Sequence, residues 1–234
     1  MQRSSFELAA AIQWAAHRAR FECIYFVRRY IYTAGERVRD AEGLQRIDAG
    51  LSASALMKEA LRLQGAEILA VARRLEETFR SGGRLYACGN GGSACDAMHL
   101  VEELVARYKR DRPGLPAHHL MDASTLTCWS NDYEYATAFQ RQVTTLIRPG
   151  DVLVAISTSG NSPNIVLAAE AAAEAGAWSL GLTGESGGKL GSVATVTLRV
   201  PSTATERIQE GHITIIHLLC ELLEEMLFGE ASPA

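Results

Sequence analysis

Leu85-Tyr86-Ala87-Cys88-Gly89-Asn90-Gly91-Gly92-Ser93 is an apolar strand that runs into a glycine turn, and the residues behind it to Tyr108 read as a helix. A short buried strand delivered through a tight turn into a helix is the unit from which parallel α/β sheets are built. The helix carries His99 and Glu103, and a four-residue spacing puts the imidazole and the carboxylate on one face, about a turn apart.

Downstream the unit recurs. Apolar runs at Ala117 to Leu120, Val152 to Ile156, Trp178 to Thr183 and Val196 to Val200 alternate with helical stretches: around Tyr133 to Leu146, up to Ala175, and from about Thr205 to Leu227. Strands rich in β-branched residues and separated by helices predict a three-layer, doubly wound parallel sheet covered on both faces. Ligands of such sheets bind outside the carboxyl ends of the strands, where the polar glycine-rich segments of this chain fall. Upstream, Ser52 to Arg80 reads as one long helix stopped by Gly82-Gly83. Phe6 to Ile31 reads as an amphipathic helix, and Thr33 to Gly50, with Gly35, Gly43 and Gly50, as a polar connector. The expected organisation is a helical extension and connector over residues 1–45 and an α/β domain over 46–234.

Composition narrows the function. A chain of 234 residues, 47% hydrophobic and 21% charged, is an ordinary globular protein, and a net charge of -4 gives no electrostatic case for nucleic acid. Charges break every apolar stretch well before the roughly 20 residues a membrane span needs. Five scattered cysteines without a CxxC pair suggest neither a disulfide framework nor a thiolate metal site, which fits the cytoplasm. The arginine-bearing start resembles a transit peptide, but Glu7 and Glu22 argue against one.

Ser157-Thr158-Ser159-Gly160-Asn161-Ser162-Pro163 follows a buried strand and opens a helix with Ser162 at the cap and Pro163 at its first position. Hydroxyls and free amides at the positive end of a helix suit a phosphate; the bland alternative is a turn that only caps its helix, and the strand-loop-helix context favours the anion. The glycine turn through Ser93 could approach a ligand closely or simply start its helix. His99 and Glu103 are spaced for a zinc ion, yet two ligands do not make a site, and such a pair is by default an exposed helix pair. The last helix offers Gln209, His212 and His217. Gln209 and His217 lie about 80° and about 12 Å apart, so they need not share a site within one chain, and spacing does not choose between the two histidines. Asn131-Asp132 could meet sugar hydroxyls, although an Asx turn is the default.

Taken together, CGNGGSACDAMHLVEEL, AISTSGNSPN, LTGESGGKL and RIQEGHITIIH resemble the bacterial sedoheptulose-7-phosphate isomerases of the sugar isomerase (SIS) domain family, over about residues 50–228. The resemblance implies a flavodoxin-like SIS domain assembled as a homotetramer with inter-subunit active sites. It implies zinc held by His99, Glu103, Gln209 and His217, with His212 the weaker candidate. It assigns the phosphate to Ser157, Thr158, Ser159 and Ser162, and the sugar to the turn Asn90, Gly91, Gly92 and Ser93 with Asn131, Asp132 and Gln209. The implied reaction converts sedoheptulose 7-phosphate to D-glycero-D-manno-heptose 7-phosphate through a cis-enediol, with Glu103 as base and His217 as acid. That step opens the route to ADP-heptose and lipopolysaccharide. Two alternatives stay open: an isomerase of another sugar phosphate, and a non-catalytic relative that associates with a replication initiator. Glu103 and His217, which a binding module has no chemical need to keep, weigh against the second.

Overall fold

The computed structural model describes residues 34–229, with side chains from Arg39 onward. The amphipathic stretch expected over residues 6–31 lies outside the described residues. The chain divides into a unit ending at Ser52 and a unit from Ala53 that contains the whole sheet.

Helix α1 (Ala34–Leu61) runs through the stretch expected to be a connector. Leu44, Ile47 and Leu51 recur there at helical spacing, and the two internal glycines, Gly43 and Gly50, cost a helix only about 1 kcal/mol each. The single helix expected over Ser52 to Arg80 is also corrected: a 3-10 turn at Arg62–Gln64 separates α1 from α2 (Gly65–Arg80). The break has a partner on the sheet. Gln64 donates its Nε2 to the Arg199 carbonyl and accepts the Arg199 N–H at 3.2 Å, so one side-chain amide satisfies both main-chain groups of a residue on the edge strand.

Five parallel strands follow, β1 (Leu85–Gly89), β2 (Ala117–His119), β3 (Val152–Ile156), β4 (Trp178–Gly184) and β5 (Val196–Val200), in the order β2-β1-β3-β4-β5. Leu85 pairs with both Ala117 and Val152, Val152 with Trp178, and Leu180 with Val196. β1, β3 and β4 are buried throughout, which is why they read as unbroken apolar runs. Alternate residues feed two cores. Leu85, Ala87, Val152, Val154 and Ile156 face α2, α3 (Gly92–Val105) and the C-terminal helix, whereas Tyr86, Cys88, Leu153 and Ala155 face the other layer.

That second layer holds α4 (Ala123–Asp132), α5 (Ala138–Leu146), α6 (Pro163–Glu174) and the single turn α7 (Leu190–Val193). Helix α4 was not foreseen, and the helix expected from Tyr133 starts only at Ala138, after a 3-10 turn at Tyr135–Thr137. The signal for α4 was its cap: Asp122 Oδ1 accepts from the Thr125 N–H at 2.7 Å and from the Ser124 and Thr125 hydroxyls. The Ser124 and Thr125 bonds lower the Asp122 pKa to about 2. Helix α8 (Thr205–Phe228) closes the fold. Among the described residues no helix is long and apolar enough to cross a membrane.

Candidate active site

The order β2-β1-β3-β4-β5 reverses direction between β1 and β3, and a doubly wound sheet opens its ligand crevice at such a point. The two loops singled out in the sequence leave those two strands. After β1, Gly91 takes φ +55°, and α3 begins at once. After β3, Ser162 stands at the N-cap position of α6, its hydroxyl turned to Ser157 and not to the helix amides, with Pro163 in the first turn. Asn90 and Asn164 tie the loops together through reciprocal amide bonds, each 2.9 Å, and the Tyr135 hydroxyl donates to Asn90 Oδ1 at 2.6 Å. Neither Asn164 nor Tyr135 stood out in the sequence. Asn164 is buried in the first turn of α6, and the Tyr135 bond spans 45 residues.

Ser157 and Ser162 place their hydroxyls 3.1 Å apart, so the serine loop curls on itself. Its back is braced by the Gly184–Leu190 segment: Leu190 N–H donates to the Gly160 carbonyl at 2.8 Å, Gly184 N–H to Thr158 at 3.0 Å, and Lys189 N–H to Asn161 Oδ1 at 3.0 Å. Asn131 and Asp132 end α4 as exposed residues, bonded to each other at 2.9 Å.

Helices α3 and α8 run side by side in the same direction, and three contacts mark the seam. At its start the Gln209 carboxamide covers Gly92, where a Cβ would stand 2.3 Å from Gln209 Nε2. At its end the Tyr108 and Lys109 N–H groups reach the Glu224 carboxylate. Between them His99, Glu103 and His217 converge, with one donor atom from each within 4.8 Å of the others. His99 Nε2 lies 3.1 Å from Glu103 Oε1 and 3.4 Å from His217 Nε2. A tetrahedral ion with bonds of about 2.0–2.1 Å requires ligand atoms roughly 3.3–3.4 Å apart, so these donors fit a metal in number, type and spacing. The three residues come from one chain. Gln209 lies about 10 Å further up the seam, by the rise from Gly92 to His99.

Asp96, one turn before His99, has a buried Oδ2 without a hydrogen-bond partner, and burial raises its pKa to about 6, against the lowering pull of His99. His212 is a core residue: fully buried, it approaches the Thr183 carbonyl through Nε2 at 3.2 Å. Desolvation lowers its pKa to about 4, so it is neutral at physiological pH.

With this geometry in place, the chain belongs to the SIS domain family, whose profile matches residues 51–184. Within that family it is 49% identical to the phosphoheptose isomerase of Trichlorobacter lovleyi, over 70% of this chain and 84% of that protein. It is equally identical to the phosphoheptose isomerase of Roseiflexus sp., over 74% and 88%. The fold matches the phosphoheptose isomerase of Francisella tularensis with TM-score 0.75 at 34% identity, and that of Neisseria gonorrhoeae with TM-score 0.73 at 38% identity. Each alignment covers 78% of this chain and 98% of the other.

Proposed function

We propose that the protein is a phosphoheptose isomerase that converts sedoheptulose 7-phosphate to D-glycero-D-manno-heptose 7-phosphate. The observation that carries this reading is the convergence of Glu103 and His217 with His99 where α8 meets the helix that starts at the glycine turn of the sheet's switch point, in a chain about half identical to phosphoheptose isomerases.

The hydroxyls of Ser157, Thr158, Ser159 and Ser162 and the positive end of α6 take the phosphate, and this remote anchor positions the reacting end of the sugar. Asn90, held by Asn164 and Tyr135, together with Gly91, Gly92, Ser93, Asn131, Asp132 and Gln209, lines the path of the sugar hydroxyls. Glu103 takes a proton from C1 of the ketose and returns it to C2. His217 delivers a proton to O2 as the cis-enediol forms and removes the one on O1 as it collapses, so no proton is lost overall. Zinc held by His99, Glu103 and His217 would supply a Lewis acid for the sugar carbonyl when bound, and since Gln209 of the same chain lies about 10 Å up the seam, a fourth ligand of that type would have to come from a neighbouring chain. In the homotetramer implied by the family resemblance, neighbouring chains complete each site. The reaction belongs in the cytoplasm, at the entry to lipopolysaccharide heptose synthesis.

Purified protein incubated with sedoheptulose 7-phosphate and zinc should form the aldose, and Glu103→Gln and His217→Ala should each lower turnover by about 10²–10⁴. No aldose in any metal condition would overturn the reading and favour a binding module.

A further inference from the structure

Tyr108 stacks on His217 with ring centroids 5.8 Å apart and planes inclined by 26°. His99 meets the same imidazole edge-on, at 5.1 Å and 68°. Nε2 of His217 is turned toward His99, and Nδ1 has no hydrogen-bond partner among the described residues. A metal-binding histidine usually ties its second ring nitrogen to a carbonyl or carboxylate, which fixes the plane of the ring. Among the described residues nothing ties Nδ1 of His217, and the face of Tyr108 stands against the ring.

Tyr108 is itself anchored from α8. Glu224, 3% exposed, accepts the backbone N–H groups of Tyr108, Lys109 and Arg110 at 3.1, 2.9 and 3.1 Å. Arg112 completes the shell of that carboxylate at 2.9 Å and donates to the carbonyls of Glu103 and Leu104, both at 2.8 Å. Burial acts to raise the Glu224 pKa, and these bonds outweigh it, so the net shift is downward. Lys109 pairs with Glu221 at 2.9 Å and lies 5.3 Å from the Tyr108 ring centroid. A fully satisfied buried network of this kind is rigid. It joins the end of α3, the loop after it and α8 just past the triad.

We propose that Tyr108, clamped by Glu224 and Arg112, is a positioning residue that sets the plane of His217 so that Nε2 meets His99 and Glu103. The kinetic part of its test rests on the isomerase reading; the metal and spectroscopic parts do not. Cobalt(II) is titrated into metal-free full-length protein carrying Tyr108→Ala, Tyr108→Leu or Tyr108→Phe, while the visible spectrum and the nitrogen resonances of the His217 ring are followed. Alanine and leucine should weaken cobalt binding about 10–100-fold and broaden the His217 signals, and phenylalanine, which keeps the ring, should restore both. In turnover, kcat should fall by a similar factor with KM within about twofold, because the phosphate loop is untouched. Unchanged cobalt affinity and spectrum in Tyr108→Ala would overturn the proposal. So would equal impairment in Tyr108→Phe, which would assign the effect to the hydroxyl. A wild-type protein without isomerase activity whose cobalt site still responds to Tyr108→Ala would leave positioning standing and remove the substrate reading.

Discussion

His212 and His217 stand five positions apart on α8, which turns their side chains about 140° from each other. One enters the core and approaches the Thr183 carbonyl, and the other faces α3. Both lie among isoleucines and leucines, so spacing offered no means of telling them apart; the family resemblance favoured His217, and the sheet fixes which side of α8 is inside. The buried one has a consequence for stability. With a folded pKa of about 4 against an unfolded value near 6.5, His212 takes a proton in the unfolded chain before it can in the folded one. Its contribution is therefore complete above about pH 6.5, declines as pH falls through that window and is gone below about pH 4, a loss of about 3 kcal/mol. Asp96 acts in the opposite sense: its raised pKa gives stability at low pH that is lost as pH rises through about 6. The two dependences run against each other between about pH 4 and 6. Comparing unfolding free energies of wild type and His212→Gln removes the Asp96 part. The gap between them should be widest above pH 6.5 and narrow by about 3 kcal/mol toward pH 4, whereas a constant gap would mean His212 does not titrate as its burial demands.

At the scale of elements, the strands and α6 were legible because burial on both faces writes an uninterrupted apolar run and Pro163 marks a helix start. The break at Arg62–Gln64 was not, since it depends on Gln64 reaching Arg199, 135 residues away. The same holds for the serine loop. Its chemistry is visible in Ser157 to Ser162, but its shape is set by the LTGESGGKL segment, to which the sequence alone attached no role. Gly160 shows the dependence. It sits at φ +66°, and a Cβ there would come 2.1 Å from the Gly187 carbonyl. Gly160→Ala should strain the turn and push the brace away, costing about 1–3 kcal/mol and raising KM for the sugar phosphate about tenfold or more. Gly82→Ala is the control, because Gly82 shares a positive φ of 83° but has open space around it. It should lose about 1 kcal/mol of stability at unchanged KM. Equal KM in both variants would show that the brace does not shape the phosphate site.

At the scale of the molecule, the triad unites residues 118 positions apart, and no spacing rule connects such a pair. Residue types at His99, Glu103 and His217 were readable; their convergence within one chain follows from α3 and α8 lying side by side on one face of the sheet, which only the topology decides. That placement would couple any ion the triad binds to the fold. The donors belong to two helices that pack on the same core, so unfolding scatters them and an ion that binds the native triad must stabilise the whole domain. Free zinc at about 100 times its dissociation constant adds roughly 2.7 kcal/mol, which for a chain of this length is a rise in Tm of about 5–10 °C. A chelator should reverse the rise. His99→Ala should abolish it, since two remaining donors no longer close a tetrahedral site. A shift of the same size in that variant would place the stabilising ion elsewhere, and no shift in wild type would show that three converging donors are not enough to hold zinc within a single chain.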